Sequence, residues 1–272
     1  MKGLLFGGCS FTWGQGLYFY SDLPDLYYPK PYEYHADKVT DAQLKFKDTL
    51  RFPRLVANHF NTFETFKIHN GGSEDETFSF FENIFDKERK HVMTHLSTEK
   101  YDYTDFDYII IQLSQLFRNR FYFQLDGREC FTNVSPYSSY GDYELLLKWM
   151  KDNNKTYDDW QKELSQTQYT RLVKELKFYE DKGIKTKILS WENDLIPYIK
   201  NDNFLNDRFI SLNYKENTYD TIKEMQTNNE ELYIEYDYEY FGENTPKDHH
   251  PSKLCHRVIA DNIIKSIEND IK

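Results

Sequence analysis

The chain has 272 residues and a formal net charge of -11, with 39% hydrophobic residues and a mean hydropathy of -0.81. Its longest apolar run, Tyr108-Ile109-Ile110-Ile111, is far shorter than the roughly 20 residues that cross a bilayer, so no membrane-spanning helix is expected. The acidic balance, without clusters of Lys and Arg, argues against a general binder of nucleic-acid backbone.

The length suits one large α/β domain or two small ones. Without internal repeats or low-complexity linkers, a single domain over 1–272 with long insertions is the simpler expectation. Cys9, Cys130 and Cys255 are odd in number and lack CxxC or Cys/His ligand spacing, which points away from a disulfide framework and a zinc site and toward reduced thiols. The N-terminal apolar stretch is too short for a signal peptide, and a cytoplasmic protein is expected. Aromatics reach 18%, with 23 Tyr and 21 Phe. That excess fits a sugar-binding cleft, and it equally fits a mutational bias toward Lys, Asn and Tyr.

In chain order, apolar and β-branched content and helical spacing predict a strand at 2–6, a helix over 52–60, a strand at 66–69, a helix over 74–90 and a strand at 108–113. A long helix over 158–181 follows, marked by Trp160, Leu164, Leu172, Leu176 and Tyr179 at three- and four-residue steps or their sums, with Gly183 as its stop. A strand at 185–190 and a fifth at 208–212 precede a last helix over 251–271. Pro251 is expected in its first turn, with Leu254, Val258, Ile259, Ile263 and Ile267 on one stripe. Strands alternating with helices predict a three-layer α/β/α, flavodoxin-like fold with a central parallel sheet of about five strands. Segments 18–49, 122–143 and 213–247 fit neither pattern and are insertions, placed where loops beyond the carboxyl ends of strands build a ligand site.

The first strand ends in Gly7-Gly8-Cys9-Ser10. Two glycines could simply break a strand, or they could hold Ser10 as a nucleophile on a tight strand-to-helix turn. A serine hydroxyl is a poor nucleophile at its free pKa and needs an adjacent base, a group that orients the base, and donors for the oxyanion. His250 in Lys247-Asp248-His249-His250-Pro251-Ser252 is the base candidate, with Asp248 in reach of its Nδ1 and His249 as the rival. Cys9 would face away from Ser10 in an extended segment and is read as a small buried packing residue. Asp102, Asp105 and Asp107 lack the ligand spacing of a calcium loop and are read as a solvated approach to a strand. No metal or other cofactor is implied.

Gly8-Cys9-Ser10-Phe11-Thr12 resembles the first block of one branch of the SGNH (GDSL-like) hydrolases. The likeness continues in order. Phe52-Pro53-Arg54-Leu55-Val56-Ala57 is similar to the helix before the second strand. Asn70-Gly71-Gly72-Ser73 is similar to the second block, and Asp248, His250-Pro251-Ser252, His256 and Ala260 to the Asp/His block with its helix. The resemblance implies a serine esterase with Ser10, Asp248 and His250 as catalytic residues. The amides of Ser10 and Gly72 would form the oxyanion hole. A short acyl group on a carbohydrate, or on another small alcohol, is the implied substrate.

Two departures limit it. Leu116 stands where the third block places an Asn, leaving Gln112, Ser114, Gln115, Arg118 or Asn119 to supply that donor, and Asp248 precedes His250 by two residues instead of three. Two alternatives therefore stand beside the esterase: an acyltransferase using the same acyl-enzyme, and a binding or assembly protein on the same fold with weak or lost catalysis. The Lys/Asn/Tyr excess and this motif branch also resemble bacteriophage proteins.

Overall fold

The computed structural model describes residues 1–9, 12, 14, 17, 20, 40–66, 73–87, 99–116, 119–133, 143–192, 194–234 and 250–272. Its centre is a parallel sheet of β1 (Gly3–Gly7), β2 (Glu64–Phe66), β3 (Phe106–Leu113) and β6 (Lys185–Ser190), in the order β2-β1-β3-β6. Between β3 and β6 the chain forms a hairpin of β4 (Arg120–Leu125) and β5 (Arg128–Asn133). The helices are α1 (Asp41–Leu50), α2 (Phe52–His59), α3 (Glu74–Phe85), α4 (Tyr143–Asp152), α5 (Tyr157–Asp181), α6 (Ile196–Asn201) and α7 (Asn203–Asn206). A second hairpin, β7 (Leu212–Tyr214) with β8 (Asn217–Tyr219), leads to α8 (Ile222–Thr227) and α9 (Lys253–Ile271). Among the described residues, no helix is long and apolar enough to cross a membrane.

Strand alternation splits the core in two. Leu5, Ile109, Ile111, Leu113 and Ile188 face the aromatic side of α3, α4 and α5, including Phe78, Phe81, Trp149, Trp160 and Tyr179. Leu4, Phe6, Tyr108, Ile110 and Leu189 face α2, α8 and α9, including Phe52, Val56, Met225, Val258 and Ile263. The expected three layers are therefore present, and both faces of β1 and β3 are buried.

Several boundaries differ for local reasons. The sheet has four laddered strands among the described residues, not about five. At the expected fifth, Phe209 makes one parallel bridge to Ile188, after which Leu212–Tyr214 turns away to pair with Asn217–Tyr219. The second strand lies at Glu64–Phe66, earlier than expected, and residues 67–70 are outside the described residues. The helix expected over 74–90 ends at Phe85, where Asp86 turns extended. Pro251 lies outside the last helix, because Ser252 is its N-cap and accepts from the Cys255 amide.

Each segment that fits neither period in sequence holds or overlaps regular structure. The first contains α1, opened by a capping box in which Thr40 and Gln43 bond reciprocally. The second contains the β4–β5 hairpin, closed by Asp126 and Gly127 at φ 50° and 73°. An Asp-Gly pair with two positive φ angles matches the twist of a two-residue hairpin. The third contains β7, β8 and α8.

At Gly7 β1 packs directly against α3: a Cβ there would collide with Thr77 Cγ2 and lie 2.7 Å from Phe81 Cζ. Gly7→Ala is expected to cost about 1–3 kcal/mol by overpacking, read as a lower midpoint in chemical denaturation. An unchanged midpoint would contradict this packing.

Candidate active site

The described residues of the sequence blocks are Gly8, Cys9 and Thr12 after β1, Ser73 before α3, Ser114 to Leu116 and Asn119 after β3, and His250 before α9. At the end of β1 the chain passes through Gly8, whose Cβ would collide with Thr12 Oγ1 and lie 3.0 Å from Gln112 Oε1. Cys9 is buried, with its amide and thiol both donating to Gln112 Oε1, at 3.4 and 3.2 Å. Thr12 Oγ1 donates to the same oxygen at 3.2 Å, and Gln112 Nε2 donates to Leu113 O at 2.5 Å. Ser10 and Phe11, between these contacts in sequence, lie outside the described residues.

The segment beyond this turn is tied to the far end of the chain. Tyr20 is buried and its hydroxyl accepts from the amide of Lys253, the first residue of α9, at 3.3 Å. Gly14, at φ 79°, lies against the α1–α2 corner, where an added Cβ would be 3.1 Å from Arg51 Cβ. His250 stands three residues before the start of α9 and is half-buried. Its carbonyl accepts from the Ile234 amide at 3.0 Å, and the Ser252 amide donates to Leu232 O at 2.9 Å, so a short antiparallel seam carries it. Asp248 and His249 lie outside the described residues.

Of the second block, Gly72 is outside the described residues, while Ser73 caps α3 in a capping box with Glu76. The first turn of α3 meets Asn119, fully buried, whose Oδ1 accepts from the Asp75 amide at 3.2 Å and whose Nδ2 donates to Leu116 O at 3.2 Å. The Asp75 carboxylate in turn pairs with Arg171 of α5. The loop after β3 thus reaches the first turn of α3 through Asn119.

The candidate replacements for the missing Asn have distinct surroundings. Leu116 is buried in the aromatic core and its amide donates to Asp194 Oδ2 at 3.2 Å. Burial pushes the Asp194 carboxyl up from its usual range, against the opposing pull of that amide. Gln115 Nε2 donates to Glu192 Oε1 at 3.4 Å, an oxygen that also accepts from Lys223 Nζ at 2.6 Å. Ser114 is buried, Gln112 donates within its own strand, and Arg118 lies outside the described residues. Asp102, Asp105 and Asp107 stand at the amino edge of the sheet, where Asp107 accepts from the Lys2 amide at 2.7 Å.

Sequence reasoning missed a set of buried basic side chains. His256 on α9 is fully buried, stacked on Phe52 at 5.6 Å between ring centroids, and its Nδ1 accepts from the Phe52 amide at 3.1 Å. The imidazole is therefore neutral with its proton on Nε2, which has no hydrogen-bond partner among the described residues. Burial first, then the charges of His250, Arg51 and Lys47, push its pKa down to about 3. Burial also pushes the Lys47 amine down to about 8, against the pull of Asp48. Arg51 is held by Glu64, whose Oε1 accepts from Arg51 Nη2 at 3.0 Å and from Arg54 Nε at 2.6 Å. A charged residue directly before a Phe-Pro helix start gives little sign in sequence that it is buried.

No family model matches the chain, and no curated protein matches it in sequence. Among solved structures it is similar to a carbohydrate esterase whose active site displays divergent catalytic and non-catalytic binding functions (TM-score 0.42, 11% identity, 98% of this chain and 65% of that chain). It is also similar to an active-site mutant of a family two carbohydrate esterase from Clostridium thermocellum (TM-score 0.41, 12% identity, 99% of this chain and 64% of that chain). The chain spans just under two thirds of the length of each.

The His256 environment fixes a pH dependence. Its folded pKa of about 3 lies below the ordinary 6.5, so between these values the unfolded chain binds the extra proton and stability falls as pH falls. His256→Asn, which keeps an acceptor for the Phe52 amide without titrating, is expected to be less acid-sensitive between pH 6 and 4. The difference in slope should be about 1 kcal/mol per pH unit. Parallel stability curves for the two proteins would contradict a neutral buried His256.

Proposed function

We propose that this chain is a serine esterase that hydrolyses a carboxylic ester, with a short acyl group on a carbohydrate as the substrate class. Ser10 Oγ attacks the acyl carbon while His250 takes the hydroxyl proton. The amides of Ser10 and Gly72 stabilise the tetrahedral oxyanion, and Asp248 orients the imidazole. Collapse of that intermediate breaks the ester bond, and His250 returns the proton to the leaving alcohol. Water, deprotonated by His250, then cleaves the acyl-enzyme to the free acid and Ser10. This reading treats the chain as one domain and uses no cofactor.

The observation that carries it is the bond from the Lys253 amide to the Tyr20 hydroxyl. It joins residues 233 positions apart, so Tyr20, ten residues after Ser10, touches the first residue of the helix that follows His250. Independent surface loops would have no such tie.

Leu116 favours a second reading, of weak or lost catalysis. A buried leucine at the usual Asn position donates no side-chain bond to an oxyanion, and loss of one such donor costs roughly 100- to 1000-fold in turnover. A slow esterase and an inert binding protein are separated by comparing the wild type with variants.

Hydrolysis of p-nitrophenyl acetate, butyrate and octanoate is expected from the wild type, with Ser10→Ala and His250→Ala reduced by roughly 10⁴-fold or more at unchanged melting temperature. A second arm with added acceptor alcohol detects transfer in place of hydrolysis. Equal rates for wild type and both variants would contradict the proposal.

A further inference from the structure

We propose that Gln112 is the positioning residue of the nucleophile turn, its side-chain amide replacing the backbone ladder where β1 leaves the sheet and holding the chain on both sides of Ser10. The inference deepens the esterase reading and rests on it for the identity of the nucleophile.

The register shows why this position matters. The β1–β3 ladder runs from Gly3 opposite Phe106 to Gly7 opposite Ile111. Gln112 is thus one residue past the last rung, beside the turn that follows β1. Its side chain lies on the same face of β3 as Tyr108 and Ile110, in a strand whose other residues are apolar apart from Asp107 near its start. A buried amide without partners is costly, and an aliphatic residue would carry no such cost. The carboxamide is accommodated because both its oxygen and its nitrogen are hydrogen-bonded.

Its oxygen receives the Cys9 amide, the Cys9 thiol and the Thr12 hydroxyl, three donors for an atom with two lone pairs. Its nitrogen donates to Leu113 O, which also accepts from the Trp191 amide at 2.9 Å, so the anchor extends into the end of β6. Because Leu113 O only accepts, the amide has one orientation, with oxygen toward the turn. Cys9 and Thr12 flank Ser10 and Phe11. Fixing both fixes the ends of the short segment that carries the nucleophile. Gly8 completes the arrangement, since any side chain there would meet Thr12 Oγ1 and Gln112 Oε1.

Two variants test this. Gln112→Met keeps the volume and removes both hydrogen-bonding ends. Gln112→Glu, when protonated, keeps one acceptor and one donor, and when ionised loses the donor that anchors it to Leu113 O. In Gln112→Met, hydrogen exchange at the Cys9 amide and thiol labelling of Cys9 are expected to accelerate. Ester turnover should fall about 100-fold with KM little changed, the scale of a misplaced reacting group. In Gln112→Glu, turnover and Cys9 protection relative to wild type are expected to be near normal in acid and to fall as pH rises and the carboxyl ionises. A residue serving only as core filling would show no such pH-dependent ratio.

Wild-type Cys9 protection and turnover in Gln112→Met would overturn the proposal. So would a ratio for Gln112→Glu that does not change with pH, which decides the matter alone should Gln112→Met not fold. If Ser10→Ala matches the wild type in ester hydrolysis, the esterase reading fails by itself, and with it the catalytic half of this proposal. Cys9 exchange then decides whether Gln112 positions the turn.

Discussion

A parallel strand pair has to stop somewhere, and the end of the β1–β3 ladder at Gly7 and Ile111 governs what surrounds it in this protein. Inside the ladder, backbone bonds and two apolar faces settle the structure. One residue beyond, polar groups that can no longer pair along the strand need side-chain partners. Gln112 meets that need for Cys9 and Thr12. Asn119 does the corresponding work for the first turn of α3. Both side chains are buried, so the edge that could hold reactive groups is built on satisfied polar contacts.

The two faces of the sheet contribute differently to that edge. On the α3–α5 face, a dense aromatic core reaches as far as Leu116 and fixes the loop after β3 by packing. On the α2–α9 face, the packing includes charge and imidazole: Arg51 and Arg54 on Glu64, and His256 bonded to the Phe52 amide. A neutral His256 makes it possible for α9 to seat its first turn close to Arg51 and Lys47 without a further buried positive charge. That first turn is also where Tyr20 bonds. Stability on this face is therefore linked to the geometry in which His250 is presented.

Much of the fold was legible because the buried elements obey simple periodicities. Trp160, Leu164, Leu172, Leu176 and Tyr179 mark α5, and all five are buried. Tyr108 to Leu113 marks β3 by its apolar run. Boundaries were less legible where a cap decides them: Ser252, rather than Pro251, starts α9 because its hydroxyl serves the Cys255 amide. The fifth strand shrank to a bridge because Leu212–Tyr214 found an antiparallel partner three residues later. The Asp126-Gly127 hairpin was written in the sequence as a turn signal inside a segment that otherwise followed neither period.

The site was legible only as an order of blocks. Pattern reading placed Gln112 and Asn119 among potential oxyanion donors. Their hydrogen bonds join Gln112 of β3 to the turn after β1, and Asn119 to the first turn of α3, which no spacing rule could reveal. Burial of Lys47, Arg51 and His256 was hidden for the same reason, because it depends on contacts between residues up to 204 positions apart.

The central claim is that Ser10 is an activated nucleophile, and it is tested most directly by exposing the protein to an alkyl fluorophosphonate and locating the adduct by peptide mass spectrometry. The account requires one phosphonyl group on Ser10, formed much more slowly in His250→Ala. An unmodified Ser10 under conditions that label a known serine esterase would contradict it.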